Sequence, residues 1–131
     1  MRNYLGLLFS LLLLLPLGGY AQRWEKIGER TLGNKNKEKT ITINCAHQGK
    51  FRMLKIAVEN TSVEFENVSV EFLSGSTQEL KIRDYVSAGR ETRPIDLRGD
   101  KRVIKKIELT CKPKEKAKGN NKARIIVYGR T

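Results

Sequence analysis

The sequence is poor in the residues that most metal sites require. It contains one histidine and two cysteines among 131 residues. Zinc sites combine several His, Cys or carboxylate ligands, and the lone histidine, His47, has only Cys45 close to it in the sequence. We therefore predict no metal site and expect His47 in a turn.

The sequence also lacks the motifs of the common hydrolases. It has no Gly-x-Ser-x-Gly and no His-Glu-x-x-His segment, which mark α/β-hydrolases and zinc proteases, and a Ser-His-Asp triad would depend on His47. We predict that the protein is not an enzyme and binds no cofactor. The alternative is a small polysaccharide hydrolase, because a glycosidase needs only two carboxyl groups and Asp84, Glu91 and Asp96 could converge.

Only one long hydrophobic run is present, and it lies close to Met1. Arg2 precedes an apolar run from Leu5 to Leu17, and small residues lead from there to Ala21. This order is typical of a secretory signal peptide. The run of about thirteen residues is shorter than the roughly twenty that a membrane-spanning helix needs. We predict a signal peptide over residues 1–21, no transmembrane segment after its cleavage, and a secreted or periplasmic protein.

Residues 22–131 have the size of one domain and show no sustained helical periodicity. Apolar and polar residues alternate instead, and turn-forming clusters interrupt them every eight to twelve residues, as is typical of antiparallel sheets. We predict a single all-β domain, an antiparallel β-sandwich of eight or nine short strands, of which the jelly-roll is one arrangement. A closed barrel is the alternative.

Local changes in the alternation predict finer features. Val63 and Phe65 fall on odd positions, whereas Val68 and Val70 fall on even ones, so we expect a bulge or tight turn near residues 66–67 that restores the register.

Three further segments suggest how the strands are placed. Residues 51–58 read as one strand with Leu54, Ile56 and Val58 on one face and Phe51 on the other. Pro94 marks an edge strand or a strand start, because proline cannot donate to a sheet ladder. The last strand, 123–128, is apolar on both faces and is expected in the centre of a sheet.

The two cysteines, Cys45 and Cys111, predict a disulfide if the protein leaves the cytosol. Closing a loop of this length would stabilise the fold by about 4 kcal/mol in the chain-entropy model.

The formal net charge of +12 indicates attraction to polyanions. The charge is uneven along the chain: residues 56–80 contain five acids and no Lys or Arg, whereas bases dominate residues 98–131. We predict one strongly basic surface that binds an anionic polymer or a protein partner. Its candidate residues are Lys101, Arg102, Lys105, Lys106, Lys112, Lys114, Lys116, Lys118, Lys122 and Arg124.

The positive charge also has two other interpretations, nucleic-acid binding and a role in solubility alone. Nucleic acid is disfavoured, because the basic clusters lack the interleaved aromatic residues that stack on bases. Lysines can also simply keep a β protein soluble and its sheet edges unpaired. A structural or assembly protein without a ligand is then the alternative to a binding module for an anionic envelope component.

The segment Ile95–Ile107 follows the pattern Ile-Asp-Leu-x-Gly-x-x-Arg-x-Ile-x-x-Ile. In this it resembles small secreted bacterial β-sandwich proteins of uncharacterised function, and the resemblance implies a fold and no activity. The residues also suggest a hairpin, in which Gly99 supplies a positive φ and the carboxylate of Asp96 faces Arg102 or Arg93.

Overall fold

The computed structural model describes residues 23–33, 39–45, 49–80, 82, 84–99, 101–114 and 122–131. Within these residues the chain forms ten strands and no helix, which confirms the predicted all-β sandwich. The strands are β1 Glu25–Thr31, β2 Lys39–Asn44, β3 Lys50–Phe51, β4 Met53–Glu59, β5 Val63–Phe72, β6 Thr77–Leu80, β7 Tyr85–Val86, β8 Ile95–Asp96, β9 Arg102–Pro113 and β10 Arg124–Arg130.

The strands pair into two antiparallel sheets. The first sheet has four strands in the order β1-β10-β4-β8, and the second has six, with the order β2-β9-β5-β6 and with β3 on β9 and β7 on β5. The apolar strand β10 lies inside the first sheet, and β8, which begins just after Pro94, lies at its edge. The sequence predicted the central position of β10, and the edge position of β8 was one of the two meanings that it offered for Pro94.

The core lies between the two sheets and is built from alternate residues of the long strands. On β4, Leu54, Ile56 and Val58 are each at most 1% exposed, as predicted. Burying one such side chain stabilises a fold by roughly 1.5–3 kcal/mol. Lys55 and Ala57, the residues between them, lie on the other face of the strand and are less deeply buried.

The predicted bulge occurs in β5. Its pairing with β9 shifts register between Phe65 and Asn67. Val63, Phe65, Val68 and Val70 are consequently all buried, although their sequence parity changes.

Phe51 does not face away from the core as its spacing predicted. The chain changes sheet at Arg52, since β3 pairs with β9 in the second sheet and β4 pairs with β10 in the first. Alternation along one strand therefore does not extend across residue 52, and Phe51 turns inward to 1% exposure.

The predicted disulfide between Cys45 and Cys111 is wrong. Strand β2 runs antiparallel to β9 with Lys39 opposite Cys111, and the Cys45 amide donates to the Lys105 carbonyl at 2.9 Å. The register thus places the two cysteines six residues apart along β9, about 20 Å. A disulfide needs Cα atoms within about 7 Å, so the pairing of β2 with β9 excludes it, and no bond joins the two buried sulfurs.

We expect both thiols to resist modification until the protein unfolds. Burial raises the pKa of Cys45 to about 11, so almost none of it is the reactive thiolate near neutral pH. Ellman's reagent at pH 8 should report almost no thiol in the folded protein and two per chain in guanidinium. Rapid reaction in the folded state, or no thiol after unfolding, would contradict the structure.

Several predictions fall outside the described residues, among them the signal peptide over residues 1–21 and the turn at His47. Among the residues that the structure describes, no helix is long and apolar enough to cross a membrane.

Candidate functional site

The uneven charge along the chain is largely balanced across the second sheet. Strand β5 carries much of the acidic stretch and pairs with the lysine-rich β9, so that Glu64 lies opposite Lys112 and Glu71 opposite Lys106. Residues opposite each other on antiparallel strands project from the same face. The Lys106 ammonium lies 3.9 Å from the Glu71 carboxylate, and that of Lys105 lies 3.4 Å from it. Acids and bases far apart in sequence thus form one mixed surface.

The predicted basic patch does not gather in one place. Lys101 and Arg102 lie at the start of β9, whereas Lys112 and Lys114 lie at its end, about 33 Å away at the rise of an extended strand. Lys114 is 3.7 Å from the Glu64 carboxylate. Lys122 lies just before β10, at the far end from Lys101, and Lys116 and Lys118 fall outside the described residues.

Arg124 belongs to the first sheet and is held by acids. Its Nε donates to Glu29 Oε2 at 2.6 Å, and its Nη1 donates to Glu59 Oε1 at 3.1 Å. Hydrogen bonds from Arg124, and then from Lys26, hold the pKa of the Glu29 carboxyl below its usual value. These ion pairs partly neutralise that region of the surface.

A different group of cations comes together at the opposite end of the sandwich. We call it the basic end, and its members are Lys50, Arg52, Arg98, Lys101 and Arg102. Backbone contacts assemble it: β3 places Phe51 opposite Arg102 and Lys50 opposite Val103, and the Leu97 amide donates to the Arg52 carbonyl at 2.9 Å.

The basic end differs from the other charged surfaces in the pairing of its cations. Within the described part of the chain, no ion pair involves Lys50, Arg98, Lys101 or Arg102. Lys50, Arg52, Arg98 and Lys101 are exposed. Like charges gathered at one end of the sandwich create a local positive potential that attracts anions.

A shallow cleft of about 350 Å³ opens at the basic end. Its lining combines cations with apolar atoms, and one of these apolar residues, Leu73, is 56% exposed. The lining residues are Lys50, Phe72, Leu73, Ser74, Lys101, Arg102 and Val103.

Arg102 organises this cleft through contacts within the chain. Its Nη2 donates to Ser76 Oγ at 2.7 Å and to Ser74 Oγ at 3.2 Å, and its Nη1 donates to the Arg98 carbonyl at 3.1 Å. The guanidinium carbon lies 3.9 Å from the centre of the Phe72 ring. Arg102 therefore fixes the turn between β5 and β6 against the segment that precedes β9.

The hairpin predicted around Asp96, Gly99 and Arg102 is not formed. Strands β8 and β9 belong to different sheets and do not pair, so residues 97–101 connect the sheets instead. Gly99 does adopt a positive φ, 83°. Arg102, however, contacts serine hydroxyls and a carbonyl, and no ion pair joins it to Asp96 among the described side chains.

Gln78 ties the two sheets together next to the basic end. It is a buried polar residue of β6, only 6% exposed. Its Nε2 donates to the Asp96 carbonyl at 3.3 Å, and its Oε1 accepts from the Arg98 amide at 2.8 Å. Both ends of the amide are thereby satisfied, and the backbone that carries Arg98 is held in place.

The three carboxylates considered for hydrolysis lie on different elements. The Asp84 carbonyl accepts from the Phe65 amide in the second sheet. In the first sheet, Glu91 pairs with Ala57, and Asp96 pairs with Met53, four residues earlier on β4.

A second cleft, of about 390 Å³, contains Glu59 and Glu91. Both carboxylates form ion pairs, Glu59 with Arg124 at 3.1 Å and Glu91 with Lys55 at 3.0 Å. In the described ranges, no cluster of His, Cys, Asp and Glu could hold a metal ion.

The sequence contains a weak indication of the basic end that the linear charge count missed. Lys50 follows Gly49 and Arg98 precedes Gly99, and both glycines have positive φ values. Turn residues mark strand ends, and strand ends gather at the ends of a sandwich. Which turns share an end depends on the strand order, which the sequence pattern does not specify.

Comparison with known families shows which family the chain belongs to. A model of a domain of unknown function, DUF2541, matches residues 6–129. The chain belongs to the DUF2541 family. This agrees with the expected resemblance to proteins of uncharacterised function, while the motif over Ile95–Ile107 stays a prediction. No curated protein matches the sequence significantly.

A solved structure resembles the DUF2541 domain in fold. Pseudomonas aeruginosa AlgX matches 82% of this chain with a TM-score of 0.50 and 11% identity, and the chain spans 26% of AlgX. A family 29 carbohydrate-binding module in complex with cellulohexaose also covers 82% of the chain, with a TM-score of 0.39, 15% identity and 80% of its own length matched. At these identities the similarity to AlgX shows a shared β fold alone.

Proposed function

We propose that this DUF2541 protein is an exported, non-enzymatic binding module that takes an anionic component of the cell envelope at its basic end. The observation that carries the proposal is the cluster of Lys50, Arg52, Arg98, Lys101 and Arg102 beside an open cleft. These cations come from separate segments that β3 and the 97–101 connection bring together.

The rest of the surface supports this choice of site. The lysines of β9 beyond the cleft lie opposite acids of β5, and Arg124 is paired with two glutamates. A polyanion approaching those regions would meet acidic groups as well as bases. At the basic end it would meet a positive field, and several weak contacts could add up, each screened by salt.

The frame of the basic end is already ordered before any ligand binds. Arg102 and Gln78 fix the backbone on both sides of the cleft by hydrogen bonds. Binding therefore does not need to order these segments, which reduces its entropic cost. The export part of the proposal is supported by the signal-peptide pattern of residues 1–21.

We expect the double variant Lys50→Gln/Lys101→Gln to bind a soluble polyanion about ten-fold more weakly, since each lost contact is worth roughly 0.5–1 kcal/mol. Heparin serves as the probe, and affinity is measured by fluorescence titration at 50 and 150 mM NaCl.

The matched control is Lys39→Gln/Lys112→Gln, which removes the same charge at the opposite end of β9. It should keep most of the affinity. Equal losses in both variants would show that only net charge matters, and the proposed site would be wrong.

A further inference from the structure

We infer that the basic end docks on a membrane surface rich in anionic phospholipid, with Leu73 inserted among the lipids. This inference rests on the proposed function and names the class of anionic component. It is carried by the position of an exposed apolar side chain in a cleft that is also lined by cations.

Leu73 is unusual among the apolar residues of the described chain. Most of the large ones are buried, whereas Leu73 is 56% exposed directly after Phe72, which is 2% exposed. The Leu73 amide donates to the Val103 carbonyl at 2.9 Å. The backbone is thus anchored, and the side chain is held out in the solvent at the start of the turn to β6.

Three cations line the same cleft as this leucine. Lys50, Lys101 and Arg102 line the cleft that Leu73 also lines, and Arg102 holds the neighbouring turn through Ser74 and Ser76. An apolar tip flanked by basic groups matches an anionic lipid interface, where phosphates lie just above the acyl chains.

A soluble polyanion matches the same site less completely. It could neutralise the cations, but it would leave Leu73 in water, where exposed apolar surface is unfavourable. A lipid surface satisfies both features at once, because phosphates contact the lysines while the leucine leaves water. Each Lys or Arg close to an anionic membrane also adds to the affinity until salt screens it.

The experiment is co-sedimentation with vesicles of phosphatidylglycerol and phosphatidylcholine in equal amounts, compared with phosphatidylcholine alone, using the protein without residues 1–21. We expect binding to the anionic vesicles only. Leu73→Ser should weaken it about ten-fold and leave heparin binding unchanged. Lys50→Gln/Lys101→Gln should weaken vesicle binding about thirty-fold, the effect of two basic residues near an anionic surface.

The control variant is Tyr85→Ser, which removes the other large exposed apolar side chain of the described residues, 52% exposed on β7. It should bind vesicles as the unaltered protein does. Equal vesicle binding by Leu73→Ser, or equal binding to both vesicle types, would overturn the membrane inference. If the unaltered protein binds heparin but no vesicles, the membrane inference is wrong and the proposed function is still supported. If it binds neither, both proposals are wrong.

Discussion

Replacing Phe51 with alanine is expected to lower the free energy of unfolding by about 3–5 kcal/mol, the usual cost of removing a buried phenyl ring. Phe51 is 1% exposed and lies where the chain passes from the second sheet to the first. Its ring packs over Gly129 of β10, so it joins the two sheets at the basic end. The resulting cavity would border backbone from both sheets, which limits how far it can collapse.

The measurement is urea unfolding followed by the fluorescence of the single tryptophan, Trp24. The ring of Trp24 contacts the ammonium of Lys55 at 4.6 Å, so unfolding changes its surroundings. Tyr85→Ala is the matched control, because it removes an aromatic ring that is half exposed, and it should cost less than about 1 kcal/mol. A similarly small cost for Phe51→Ala would contradict the burial of its ring between the two sheets.

Replacing Gly129 with alanine is expected to cost about 1–3 kcal/mol, the range for adding a methyl group to a filled core. A Cβ atom at this position would lie 2.7 Å from Cδ1 and 2.8 Å from Cγ of the Phe51 ring, closer than side-chain carbons normally approach. One of the two strands must then shift, or the ring must leave its preferred rotamer.

A double-mutant cycle separates this clash from other effects of the alanine. In a Phe51→Leu background the smaller side chain leaves room, so Gly129→Ala should cost less than half of its value in the unaltered protein. Contacting residues are expected to be non-additive in this way. If the two costs simply add, the close approach of Phe51 to residue 129 is not what makes glycine necessary there.

The same contact shows where alternation along the chain predicts the fold and where it does not. The parity change between Phe65 and Val68 predicted the bulge in β5, because side chains on one strand must alternate between core and solvent. Phe51 broke this rule because residues 51 and 53 belong to strands in different sheets. In the apolar–polar alternation of the sequence, a change of sheet is visible only as one apolar residue that falls on the unexpected face.

The basic end could be only partly predicted, for a related reason. Lys101 and Arg102 were among the predicted residues, but Lys50, Arg52 and Arg98 were not, since their grouping depends on β3 pairing with β9 and on the connection between the sheets. Strand pairing also places the acidic strand β5 beside β9. The bases of β9 lie close together in the sequence but form a mixed surface, because their neighbours in space are the acids of β5.

The pattern of apolar residues and turns by itself predicted that this chain forms an antiparallel sandwich with β10 inside a sheet. These features follow from local steric preferences and from the need to bury one face of each strand. The register of β2 on β9, which separates Cys45 from Cys111, and the meeting of cations around Leu73 were decided only by the tertiary structure. Both depend on contacts between segments that are distant in sequence. The free energy of such contacts is not set by the residues of any one segment.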